Sequence, residues 1–150
     1  MRETFRNADF EALAAAWNAF YPERFAVDAE MLRLHTVECP MFDWGGSFIE
    51  TSVDGIWGFV VSKRSPTGKL YAAGDEYQAH LSAVVYRNPA IGEDMIGSAK
   101  TILRNRGATR LVFGQDCRHF FPGCPEDFGA LREFLEIEGF EPTGSSVDLE

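Results

Sequence analysis

Leu81-Ser82-Ala83-Val84-Val85-Tyr86 is an apolar run, and Ile91-Gly92-Glu93-Asp94-Met95-Ile96-Gly97-Ser98-Ala99 comes soon after it. A helical pattern continues to Arg106-Gly107, followed by a second apolar run, Leu111-Val112-Phe113. Short β-rich runs on either side of a helical segment predict strand, glycine-containing turn, helix and strand. The boundaries predicted are a strand over about 80–86, a helix from about 93 to 106 closed by Arg106-Gly107, and a strand from Ala108 to Gln115. A unit of this kind aims the N-terminus of its helix at an anion, because the first N–H groups and the helix dipole point there.

Upstream, Thr4-Phe5-Arg6 reads as a short first strand. Asp9 is an N-cap, with Phe10, Leu13, Ala14, Trp17 and Phe20 at helical spacing behind it and Tyr21-Pro22 as the stop. A second short helix starts at Asp28, carries Met31, Leu32 and His35, and ends by Pro40. Ser47 to Thr51 and Ile56 to Val61 flank Val53-Asp54-Gly55, a hairpin signal. Residues 66–78 are polar and read as irregular. Downstream, Asp116 to Pro125 is a loop. A helix then places Phe128, Leu131, Phe134 and Leu135 on one face and stops at Gly139, and Ser146 to Leu149 starts a last strand. Hairpin strands followed by strand-helix-strand units predict an α/β fold in which a mixed sheet carries helices on both faces. No domain boundary is visible within residues 1–150, which read as a single domain.

Composition narrows the function classes. A length of 150 residues suits one domain with a substantial core. The net charge of −9 argues against nucleic acid as a partner and suits a cationic amine, although it equally serves solubility. No apolar run approaches the length of a membrane span, and the N-terminus lacks the apolar centre of a signal peptide, so a cytoplasmic location and no membrane partner are expected. Cys39, Cys117 and Cys124 then read as free thiols.

Several local segments resemble the GCN5-related N-acetyltransferase (GNAT) superfamily in order and spacing. These are Asn7 to Leu13, Gly46 to Glu50 with Asp54 to Val60, Ile96 to Ala99, and Phe134 to Phe140. His119 to Asp127 resembles a branch whose members often carry two such domains in tandem. The resemblance implies a sheet of about six or seven strands. It implies acetyl-CoA as cosubstrate and a small-molecule or peptide amine as acceptor, with a homodimer or tandem domain as partner. In the family, the fourth and fifth strands part around the cofactor. Backbone groups of the fourth strand hold the pantetheine arm and polarise the thioester, and the diphosphate rests on the following helix. Carried onto this chain, the cofactor positions are Val84 and Val85 on the strand, with Ile96, Gly97 and Ser98 at the helix. Tyr86 and His80 are the candidates for acid and base. Trp44, Phe120 and Phe121 are the candidates for contact with the acceptor.

The chain departs from the family pattern at the turn. Gly92 stands where a cation is usual, Met95 where a glycine is usual, and Glu93 and Asp94 add negative charge. At ~6 Å and an effective dielectric of ~20, one carboxylate beside a phosphate costs about 3 kcal/mol, roughly a hundredfold in affinity. The alternative is that both acids serve the first turn of the helix, at about 0.3–1 kcal/mol each. Leu135 stands where many members carry a tyrosine acid. Tyr86, His80, Phe120 and Phe121 also have plain structural readings, as strand and gap-filling residues. Cys117, His119 and Cys124 do not match a zinc spacing, so no metal site is expected. Two functions stand at this stage: acyl transfer to a primary amine, and a module of the same fold that is catalytically inactive.

Overall fold

The computed structural model describes residues 1–64, 78–114, 120–121, 124–125 and 128–141. The elements are β1 (Arg2–Glu3), α1 (Phe10–Phe20), a 3-10 turn (Glu23–Phe25), α2 (Ala29–His35), β2 (Phe48–Ser52), β3 (Gly55–Lys63), β4 (Gln78–Tyr86), α3 (Pro89–Asn105), β5 (Arg110–Phe113) and α4 (Gly129–Ile137). The strands form one sheet in the order β1-β2-β3-β4-β5. All neighbours are antiparallel except β4 and β5, which the α3 crossover makes parallel. The sheet is therefore mixed, as expected, with five strands among the described residues; the anticipated strand at 146–149 lies outside them.

Capping sets the helix starts. The side chain of Asp9 accepts from Ala12 N (3.1 Å) and that of Asp28 from Met31 N (2.7 Å). α1 buries Phe10, Leu13, Ala14 and Trp17. The Val53-Asp54 turn joins β2 to β3, with Gly55 at φ 117° as the residue free to take that conformation. β4 is buried from Ala79 to Val85, which explains why its sequence is mostly apolar on both faces rather than alternating, with His80 and Ser82 as buried polar exceptions. Its neighbour β3 meets helices on both faces. Gly58 faces Met95 of α3, while Phe59 packs edge-on against Phe5, whose ring also meets Phe10 of α1.

Three boundaries differ from the sequence reading. β1 is Arg2–Glu3 rather than residues 4–6, because Phe5 turns into the core and is 2% exposed. α2 ends at His35, well short of Pro40, where Thr36 turns its hydroxyl back to Leu32 O (2.7 Å). The largest difference is α3, which begins at Pro89 rather than near residue 93. Asn88 caps it by accepting from Ile91 N (3.1 Å), and Pro89 follows at a position that suits its fixed φ. Gly92, which reads as a turn residue, is a helical residue. A side chain there would meet the rings of Phe134 and Tyr86 at 2.8 Å, so the glycine serves close packing.

Candidate functional site

β4 and β5 run together and then part. Their pairing extends from Gln78↔Arg110 to Leu81↔Phe113, and Gly114 closes it by donating its N–H to Leu81 O (2.9 Å). Gly114 has φ 75°, a left-handed conformation that does not continue a strand. β4 continues to Tyr86, still paired with β3 but not with β5. Ser82 is the extra residue of a bulge, since Val61 opposes Ala83 while Ser62 opposes Leu81. Beyond the bulge, Arg87 donates its N–H to Trp57 O (2.8 Å). The alternation of an antiparallel ladder then turns Ala83 and Val85 toward β3, and the N–H and C=O of Val84 toward the space that β5 has left. Of the two valines expected to offer backbone groups to a ligand, only Val84 faces the opening.

Aromatic side chains fill that opening. The hydroxyl of Tyr21 donates to Val84 O (2.8 Å) and accepts from Val84 N at 3.4 Å. Tyr21 is 4% exposed, and burial holds its hydroxyl protonated far above the usual tyrosine range. Its ring lies 4.4 Å from Trp17 and 5.0 Å from Phe121. Phe121 stacks between Trp17 (5.7 Å, 3°) and Phe113 (6.0 Å, 17°). Trp17 is anchored by its indole N–H on Phe25 O (2.8 Å). Tyr86, at the end of β4, packs on Phe134 of α4 (4.4 Å) and Phe20 of α1 (4.6 Å). Burial, and then proximity to Cys124, push its hydroxyl up to about 12, and burial pushes the Cys124 thiol up to about 11.

The mouth of α3 offers few anion donors. A helix leaves its first four N–H groups without intrahelical partners, here those of residues 88 to 91. Pro89 has none, and that of Ile91 is taken by the Asn88 side chain. Ile96, Gly97 and Ser98 lie two turns inside the helix, where their N–H groups belong to the helical ladder; Ile96 is in the core. Those three positions therefore cannot form the first-turn cradle read from the sequence. Glu93 and Asp94 are likewise past the first turn, so the macrodipole does not account for them. Asp94 pairs with Arg2 (2.9 Å) on the side of β1. A cation does stand near the mouth, at Arg87. Its guanidinium lies 5.3 Å over Trp57 and pairs with Asp54 (2.9 Å). The Trp57 N–H and Arg87 together hold the Asp54 carboxyl below the usual aspartate value.

The remaining candidates are dispersed. His80 is buried in the laddered half of β4, opposite Lys63 and Val112, with Nδ1 2.8 Å from Gly114 O. Trp44 is at the other end of β3 from Tyr86, since Phe42 bridges Lys63 and Asp43 N bonds Ser62 O. Phe120 packs on Trp17 (4.6 Å) and His35 (5.1 Å), beside Phe121. Leu135 is fully buried on α4. Cys117 and His119 lie outside the described residues. The structure thus brings Val84, Tyr86, Phe120 and Phe121 to the opening and leaves Trp44 and His80 away from it. Sequence reading missed Tyr21, which it took only as a helix stop. The signal was present in Trp17-x-x-x-Tyr21, a pair of large aromatics that share one helical face.

By sequence, the chain matches no family model and no curated protein. By structure, it is similar to a GCN5-related glucosamine N-acetyltransferase region of a fungal multi-domain GH3 beta-N-acetylglucosaminidase. The TM-score is 0.81 over 97% of this chain, at 17% identity. The match spans only 17% of that much longer chain. It is also similar to the ribosomal-protein-S18-alanine N-acetyltransferase from Escherichia coli, with TM-score 0.66, 12% identity, and coverage of 99% of this chain and 88% of that one. An aminoglycoside N-acetyltransferase, AAC(6′)-Iy, solved in complex with CoA, gives TM-score 0.67 at 10% identity over 98% of this chain and 91% of its own. The mixed sheet, the parallel parting pair and the flanking helices define the architecture. The fold is that of the GCN5-related N-acetyltransferases, and at these identities the likeness is one of fold.

Proposed function

We propose that residues 1–150 form one acetyltransferase-like domain whose acyl-CoA cleft is shut by its own side chains, and that in this closed form the domain is not a catalyst. One observation carries the reading: both hydrogen-bonding groups of Val84 that face the parted strands are taken by the Tyr21 hydroxyl. The arrangement does not fit acetyl-CoA, because a pantetheine arm and the Trp17–Tyr21–Phe121 stack would need the same space. The proline and side-chain cap at the α3 mouth argue in the same direction. The role assigned to the closed domain is structural or docking, as one half of a tandem or a homodimer in the cytoplasm. A fold neighbour that is itself a region of a multi-domain chain supports that assignment.

The test is a thermal-shift titration of the unaltered chain with acetyl-CoA into the millimolar range. The expected result is no shift. A ligand at a hundred times its dissociation constant adds about 2.7 kcal/mol of stability, so stabilisation of that order would sink the closed reading.

A second reading is favoured by the parting of β4 and β5 itself. On that reading an opened form transfers an acetyl group from acetyl-CoA to a primary amine of a small molecule or peptide. Tyr86, at the strand end, is then its candidate acid. Labelled acetyl-CoA offered with a panel of amines checks it, and the absence of any acetylated product from an opened variant counts against it.

A further inference from the structure

We infer that the closed cleft is an autoinhibitory latch with Tyr21 as its bolt, an inference that rests on the closed reading above. The argument starts from what shuts the opening. Among the described residues, the β4–β5 ladder ends at Leu81↔Phe113, and the outward-facing groups of Val84 beyond it meet a side chain, Tyr21, and not a strand. Side chains can leave without breaking a sheet, whereas a ladder cannot. Among the described residues, the polar anchorage of this plug to the opened edge of β4 is the Tyr21 hydroxyl on Val84. The Tyr21 ring itself packs on Trp17 and Phe121.

Tyr21 is also placed where a side chain can swing. It is the C-cap of α1, in extended backbone at φ −86° and ψ 153°, with Pro22 after it. The ring therefore hangs from the last residue of a helix and not from its middle. Its chain neighbour Phe20 lines a cleft of about 450 Å³, with Ala16, Ala19, Val85, Tyr86 and Asn88 among others. That volume exceeds a tyrosine side chain. A ring turning out of the opening past Phe20, its neighbour at 4.8 Å, has this space to enter. The move exposes the Val84 N–H and C=O, the groups that a linear amide ligand would use as it would use an edge strand.

A ligand that binds only the open form has its apparent affinity reduced by the fraction of molecules that are open. Removing the bolt raises that fraction. Tyr21→Phe keeps the ring and leaves Val84 without its partner, so the closed form loses a buried hydrogen bond. The expected effect is a gain in acetyl-CoA affinity of at least about tenfold, equivalent to about 1.4 kcal/mol, which carries binding from below detection in the unaltered chain to a measurable millimolar level.

Binding is read by calorimetric titration with acetyl-CoA on the unaltered chain, Tyr21→Phe, Tyr21→Ala and the distant core control Phe5→Leu. Tighter binding in Tyr21→Phe with none gained in Phe5→Leu supports the latch. Equal gains in both variants overturn it, since loosening anywhere would then suffice. No binding by Tyr21→Phe or by a folded Tyr21→Ala also overturns it, leaving a cleft that is permanently shut. Saturation of the unaltered chain at micromolar acetyl-CoA overturns the closed reading itself, a different result from either of these.

Discussion

Asp43 is the residue on which the lower end of the sheet depends. Its side chain is 1% exposed and accepts from Gly45 N and Gly46 N, both at 3.0 Å. It also pairs with Arg64 (2.8 Å) and with Arg106 at the end of α3. One carboxylate thus ties the loop before β2 to the end of β3 and to α3. Asp43→Ala strands two backbone donors and takes one carboxylate partner from each of two guanidiniums. Because both arginines are partly exposed, they relax outward and the loss falls below that of a sealed ion pair. The expected cost is about 2–4 kcal/mol, read as a lower denaturation midpoint with an unchanged slope. A loss under about 0.5 kcal/mol would mean that the loop is held by something else. The pairing with Arg64 and Arg106 was not legible in the sequence, where Phe42-Asp43-Trp44-Gly45-Gly46 shows a loop and an aromatic that invites a binding role. Asp43 takes its partners from residues 64 and 106, and a contact over that separation leaves no local pattern. The bond of Tyr21 to Val84 was illegible for the same reason, although the aromatic pair Trp17 and Tyr21 was a local signal.

At the scale of elements, the sequence was informative wherever a local rule acts alone. Asp9 and Asp28 announced their caps, Asp54-Gly55 announced the hairpin, and the largely apolar run Leu81 to Tyr86 announced a strand. α3 was misplaced because two local rules conflict there. Gly92 invites a turn, while Asn88-Pro89 is a cap followed by a first-turn proline. The cap won because tertiary packing needs a glycine in the helix at 92, against Tyr86 and Phe134. The register of α3 makes a paired prediction. Gly92→Ala drives a methyl into two rings at 2.8 Å and is expected to cost about 1–3 kcal/mol. Gly97→Ala meets nothing within 4 Å and sits in a helix interior, so it is expected to stabilise by about 0.5–1 kcal/mol. Thermal melts of the two variants read the difference. If both substitutions stabilise, residue 92 is not packed under α4 as described.

For the whole molecule, the sheet divides into a laddered part and an open part. β4 is bonded to β3 from His80 to Tyr86, while among the described residues its other edge is bonded to β5 only as far as Leu81. Such a parting is what the family resemblance implies, and the order of the elements by itself does not show it. The side chains occupying it were not legible, because they converge from α1, β5 and the segment before α4. Amide exchange distinguishes a plug that moves from one that is part of the core. The amides of Ala83 and Val85 lie in the β3 ladder and are released only when the sheet opens. That of Val84 is held by the Tyr21 hydroxyl at 3.4 Å, a long bond to a side chain. If the plug opens independently of the sheet, Val84 samples a free energy below that of global unfolding. Its exchange is then expected to be at least about tenfold faster than that of Ala83 and Val85, with the ratio widening in Tyr21→Phe. Equal protection at all three positions, with the same dependence on denaturant, would make the aromatic stack as permanent as the core around Phe59, and a cleft so filled would have no resting state to leave.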